Sequence, residues 1–99
     1  VQEILSENGL KPTLKGYTYL GTILTAMLEK KSTLLVPDKA LYARITAHFA
    51  TGRRQMDRVI HYSLTQAGLT LSNNQAIANF LQQARERLEA LDVLERDEL

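Results

Sequence analysis

Residues 38–68 read DKALYARITAHFATGRRQMDRVIHYSLTQAG, and this stretch decides the fold. Leu41, Tyr42, Ile45 and Phe49 recur at the three-and-four spacing of a helix with one apolar side. Asp38 stands in front of them as a good N-cap, because its carboxylate can accept from an unpaired N–H of the first turn. The pattern predicts a helix from Lys39 to about Ala50, broken at Thr51-Gly52. A second helix is expected from Arg53 to about Ala67, stopping at Gly68, where glycine takes the left-handed backbone that ends helices. Met56, Val59 and Ile60 form its buried stripe, and the small Thr46 and Ala50 are expected where the two helices approach. Two short helices about three residues apart have the spacing of a helix-turn-helix, here over residues 39–67.

Working outward, Thr13 is expected to cap a longer helix running to about Lys31. Leu14, Tyr17, Leu20, Ile23, Leu24, Met27 and Leu28 give it one apolar side. Gly16 and Gly21 weaken that helix by roughly 1 kcal/mol each relative to alanine, which points to close packing against another helix. Val1 to Asn8 reads as a short first helix with Ile4 and Leu5 inward and Asn8-Gly9 as its stop. Connectors are expected at 32–37 and 70–74. Asn73 is the expected cap of a last helix over about 74–92, fraying after Asp92. Ile77, Phe80, Leu81, Ala84, Leu88 and Leu91 share one side of it. Ile77, Phe80, Leu81 and Leu88 are expected to close the core, Leu91 and Leu94 to meet a partner. No alternating strand pattern and no hairpin signal occurs. The expectation is an all-α, compact bundle of about five helices containing a helix-turn-helix. Residues 1–99 are expected to be a single domain. Residue 1 is valine rather than methionine, so the chain is expected to be a piece of a longer protein.

A composition of 44% hydrophobic and 23% charged residues is that of an ordinary globular domain. The absence of cysteine excludes disulfides and thiolate chemistry and makes the cytoplasm the expected compartment. No run approaches the roughly 20 apolar residues that span a bilayer, and no signal peptide opens the chain. Neither a cofactor nor a metal is expected. The two histidines, His48 and His61, make a poor metal site without cysteine, and no glycine-rich phosphate loop is present. Asp57 and His61 lie one helical turn apart, yet no serine or cysteine nucleophile completes a catalytic set.

The net charge of +1 conceals an uneven distribution. From Lys39 to His61 there are five basic residues against Asp57 alone, a charge of +4. From Arg85 to Leu99 there are three basic and six acidic residues, a charge of −3. The basic middle suits a polyanion. With Met56 set to zero at 100° per residue, Val59, Ile60, Ser63 and Ala67 fall within about 60° of it. His61, Arg54, Thr65 and Arg58 lie on the opposite side, at roughly 140–200°, with Gln55, Asp57 and Tyr62 flanking them. Arginine, glutamine and aspartate are the residue types that pair with guanine, adenine and cytosine edges in the major groove. Double-stranded DNA is therefore the expected partner, with Arg54, Gln55, Asp57, Arg58, His61 and Tyr62 reading bases. Lys39, Arg44, Thr51 and Arg53, with the free N–H groups opening the second helix, are expected at phosphates. Lys11, Lys15, Lys30 and Lys31 are more distant candidates. The rival reading is a helical protein-interaction module without DNA binding, resting on the apolar edge of the last helix. RNA fits less well, since Tyr62 is the one aromatic residue on the basic face.

Two motifs add a family. Lys15-Gly16-Tyr17-Thr18-Tyr19-Leu20, then Leu41-Tyr42-Ala43-Arg44-Ile45 followed by Phe49, Thr51, Arg58, Ile60 and His61, resemble the C-terminal effector domain of the sporulation initiation regulator of spore-forming bacteria. The resemblance runs from about Ile4 to Ala67 and resumes weakly in the last helix, after a connector that looks shorter. It implies a transcription factor domain that binds DNA as dimeric or tandem copies, usually downstream of a phosphorylatable receiver domain. Carried over by position, it implies the same base-reading set. Arg58 matches in type, Asp57 stands for a glutamate, and Gln55 and His61 stand where the family carries arginine. The change at Gln55 implies a shift from guanine toward adenine, or a weaker readout.

Overall fold

Five helices make up the computed structural model, which describes residues 1–30 and 34–97, the side chain of Asp97 excepted. They are α1 (Gln2–Glu7), α2 (Lys15–Glu29), α3 (Lys39–His48), α4 (Arg53–Gln66) and α5 (Asn73–Asp97), with no strand among the described residues. The expected end of the second helix at Lys31 and the start of its connector lie outside the described residues.

Helices α2 and α4 form the centre. Leu20, Ile23, Leu24 and Met27 of α2 and Met56, Ile60 and Leu64 of α4 are buried, and Ile77, Phe80 and Leu81 of α5 close over them. Leu5 and Leu10 fill the end of this core, and Leu41, Tyr42 and Ile45 attach α3 to it. The Phe49 ring, 4.9 Å from that of Tyr19, holds the end of α3 against α2.

The α2–α4 crossing depends on Gly16. A Cβ at that position would lie 2.0 Å from Ser63 Oγ and 2.8 Å from the Val59 carbonyl oxygen. Only a residue without a side chain lets the two backbones approach this closely. At Gly21 the nearest atom, Leu5 Cδ1, is 3.8 Å away, so the close approach is confined to Gly16.

Three helices end alike. The Leu10 N–H donates to the Leu5 carbonyl, Thr51 to Thr46 and Leu69 to Leu64, each at 3.0 Å. This bond needs a left-handed residue just past the helix. Gly9 and Gly68 supply it at φ +88° and +77°. At the end of α3 the residue is Ala50, at φ +51°. The sequence pattern puts Ala50 at a helix–helix contact, inside a helix reaching to residue 50. Instead α3 stops at His48, and Ala50 is exposed and shapes the turn into α4. Thr46 is half-buried and bonds its own helix at the Tyr42 carbonyl, 2.9 Å away.

At the helix starts, Asp38 caps α3 as its sequence predicts, accepting from the Leu41 N–H at 2.8 Å. Thr13 does not cap α2; the cap position is Leu14, with no side-chain bond. Asn73 is not the cap of α5 either. Ser72 and Gln75 form a reciprocal box: Ser72 Oγ accepts from the Gln75 N–H, and the Gln75 side chain accepts from the Ser72 N–H. Asn73 is instead the first helical residue, and its amide donates to the Asp57 carbonyl at 2.9 Å, tying α5 to α4. The far end of α5 departs from expectation as well. The helix continues to Asp97, and Leu88, expected in the core, is 52% exposed. Ala84 is the last buried residue along it; Arg87 still reaches Glu3 and Glu7 of α1, but the side chains of residues 86–96 are all exposed.

Candidate nucleic-acid interface

Helix α4 is divided lengthwise. Met56, Ile60, Ser63 and Leu64 are buried, while Arg54, Gln55, Arg58, His61, Tyr62 and Thr65 are exposed. The buried set faces α2, so the α2–α4 crossing turns the second set outward. Asp57 is half-buried at the edge.

The start of α4 is unusual for a helix. Gly52 occupies the cap position, no side chain caps the free N–H groups, and the first turn holds no acidic residue. Arg53 and Arg54 stand there instead, against the positive end of the helix dipole. In isolation this arrangement is unfavourable, and a bound anion reverses the sign.

Arg53 is already engaged. Its guanidinium lies 3.4 Å from the centroid of the Tyr42 ring, and its Nε pairs with Asp57 across one helical turn at 3.3 Å. The Tyr42 contact joins the first half of α3 to the start of α4. Arg53 and Asp57 also act on the Tyr42 hydroxyl, whose pKa lies above the usual tyrosine value. Burial is the main cause of that rise, Arg53 opposes it by charge and by a hydrogen bond, and Asp57 adds to it. Of the residues expected at phosphates, Lys39 and Arg44 are exposed on α3 and Thr51 is half-buried in the turn. Lys11, Lys15 and Lys30 are exposed, and Lys31 lies outside the described residues.

A second wall stands beside the outer face. Ser72, Asn73 and Asn74, from the start of α5, line an open groove together with Arg53, Asp57, Arg58, His61, Tyr62 and Thr65 of α4. Sequence reasoning places Asn73 in a cap and leaves Ser72, Asn74 and Thr65 out of the site. Two asparagines opening a helix were the available signal, but the tie that brings them to α4 is the long-range Asn73–Asp57 bond. Among the described residues no three histidine or carboxylate groups gather to hold a metal.

The sequence matches the family described as sporulation initiation factor Spo0A C terminal over residues 1–90. The chain belongs to that family. The match spans the last connector and most of α5, well past Ala67, where the resemblance of the motifs weakens. Spo0A C-terminal domains are DNA-binding regulatory domains and are not a family of enzymes. Comparison with curated proteins and with solved structures finds no significant match. No helix of the described residues is long and apolar enough to cross a membrane.

Proposed function

We propose that this Spo0A C-terminal domain is the sequence-reading part of a transcriptional regulator, with α3 and α4 as its helix-turn-helix and α4 lying in the major groove. The observation that carries the reading is the outer face of α4: exposed Arg54, Gln55, Arg58 and His61 opposite a fully buried stripe. Arg54 and Arg58 are suited to bidentate pairing with guanine, and Gln55 to adenine. Tyr62 and His61 lie further along the same face. Asp57 can accept from a cytosine amino group with the carboxylate lone pairs that Arg53 Nε leaves unused, so base contact and the Arg53 pair meet at this residue. The uncapped, acid-free start of α4 with Thr51, Lys39 and Arg44 around it supports a phosphate seat. Arg53 contributes charge there while its guanidinium stays on Tyr42. Residues 1–99 act as one DNA-binding unit of a larger cytoplasmic protein with an upstream regulatory domain. Two copies on neighbouring half-sites would double the contacted sequence.

The test is selection from a randomised duplex library at about 100 mM salt, where nonspecific phosphate binding is weakened. An Arg54→Ala/Arg58→Ala variant serves as control. A defined motif that disappears with the control supports α4 as the reading helix. Equal lack of enrichment for both proteins refutes it and returns the domain to the protein-interaction reading.

A further inference from the structure

Asp57 is tied down at both ends. Its carbonyl accepts from the Asn73 amide at 2.9 Å, which holds the main chain. Its carboxylate accepts from Arg53 Nε, which lies 3.4 Å from one oxygen and 3.3 Å from the other. Arg54 and His61 stand three and four residues from Asp57, yet Arg53 is the cation that pairs with it among the described residues. Arg53 is fixed in turn, its guanidinium lying over the Tyr42 ring at 3.4 Å from the centroid. Tyr42 is 4% exposed and belongs to the core. A continuous chain of contacts thus runs from the core, through Tyr42 and Arg53, to a carboxylate at the edge of the outer face.

An exposed ion pair one helical turn long is ordinarily weak, because two side chains must give up their rotamer freedom to form it. Here the ring has already ordered the arginine, and only the short aspartate remains to be held. Because Nε is nearly equidistant from both oxygens, it sets the direction of the carboxylate and leaves the outer lone pairs open. A carboxylate accepts hydrogen bonds and donates none. It takes the amino group of cytosine and repels guanine and thymine, whose major-groove edges present acceptors. A mobile carboxylate turns away from an unfit base at little cost. One that is held in place cannot turn away, and the unfit base is rejected.

We infer that Arg53, braced by Tyr42, is a positioning residue for sequence discrimination, a role that rests on α4 being the helix that reads bases. It holds the Asp57 carboxylate still, so that the base pair facing Asp57 is selected by exclusion as well as by attraction. This role is separate from the charge of Arg53. A phosphate contact raises affinity for every sequence alike, whereas the brace changes the ratio between sequences.

The test has one part without DNA and one with it, so failure of the brace is distinguishable from failure of the DNA reading. In the free protein, NMR is expected to show the Arg53 Nε proton shifted upfield by the Tyr42 ring and Asp57 in a single χ1 rotamer. Arg53→Lys keeps the charge and loses the planar guanidinium, and Asp57 should then average over rotamers. An unshifted Arg53 proton overturns the proposal, and so does an Asp57 rotamer that Arg53→Lys leaves unchanged. The second part uses duplexes carrying the motif that library selection yields, each altered at one base pair. Asp57→Ala marks the base pair that Asp57 faces, as the one whose alteration ceases to matter. At that base pair, and not at the others, Arg53→Lys should reduce discrimination about fivefold, a share of one good base contact. A loss of affinity equal for all the duplexes makes Arg53 a phosphate contact only and overturns the brace.

Discussion

The α2–α4 crossing and the far half of α5 are built from the same helix-forming residue types and obey opposite constraints. At the crossing, Gly16 meets Ser63 and Val59 with no room for one methyl group. Beyond Ala84, three leucines stand more than half exposed, and nothing in the domain depends on their shape. The first region fixes the orientation of α4 and hence where its outer residues point. The second has a sequence that the domain's own packing does not require. The difference teaches that an apolar stripe reports a buried face only as far as another element extends to cover it.

The sharpest way to break this comparison is Gly16→Ala. The added Cβ overlaps backbone as well as a side chain, so α2 and α4 must separate. A loss of about 3 kcal/mol or more is expected in denaturant unfolding. A loss below about 1 kcal/mol would mean that the crossing yields, and that α4 is not rigidly placed. Next in size is Arg58→Ala, on the side of α4 away from the crossing. It should lower affinity for a selected DNA site by about 1–3 kcal/mol and leave the unfolding midpoint unchanged. A shifted midpoint with unchanged affinity would assign Arg58 to the fold.

A smaller effect is expected at the turn between α3 and α4. Ala50→Gly removes a side chain from a left-handed residue and should stabilise the domain by about 1 kcal/mol. No gain in melting temperature would show that the turn tolerates alanine as well as Gly9 and Gly68 tolerate their own geometry. The smallest effect belongs to the other region. Leu91→Ala should change stability by no more than about 0.5 kcal/mol. A large loss there would place Leu91 in the core and erase the contrast.

Much of the fold is legible from local signals. Asp38 caps its helix, Gly9 and Gly68 end theirs, and the stripe of Met56 and Ile60 gives the inward side of α4. These features depend on a few neighbouring residues. The Ser72–Gln75 box is equally local, yet Asn73 beside it is also a cap-forming type and obscures it. Leu64 escapes the stripe because it lies about 80° from Met56, at the margin of an idealised wheel. The remainder depends on distance through the chain. Periodicity places Leu88 on the correct face of α5 but cannot say where the neighbouring helices stop. The Arg53–Tyr42 contact and the Asn73–Asp57 tie join residues that only the folded turns bring together. Of the candidate site, the outward face is readable and its internal ties are not.

One consequence concerns how such a domain can change. Helix α4 is packed from behind, against α2 and α5, mainly through Met56, Ile60, Ser63 and Leu64, which are buried away from its outer face. Its two sides can therefore diverge separately. Substitutions at positions 55 and 61 would alter the outer face while Met56, Ile60 and Gly16 keep the scaffold. A lineage can drift from one target sequence to another with its architecture untouched, and a library varied only at positions 54, 55, 58, 61 and 62 should yield mostly folded proteins.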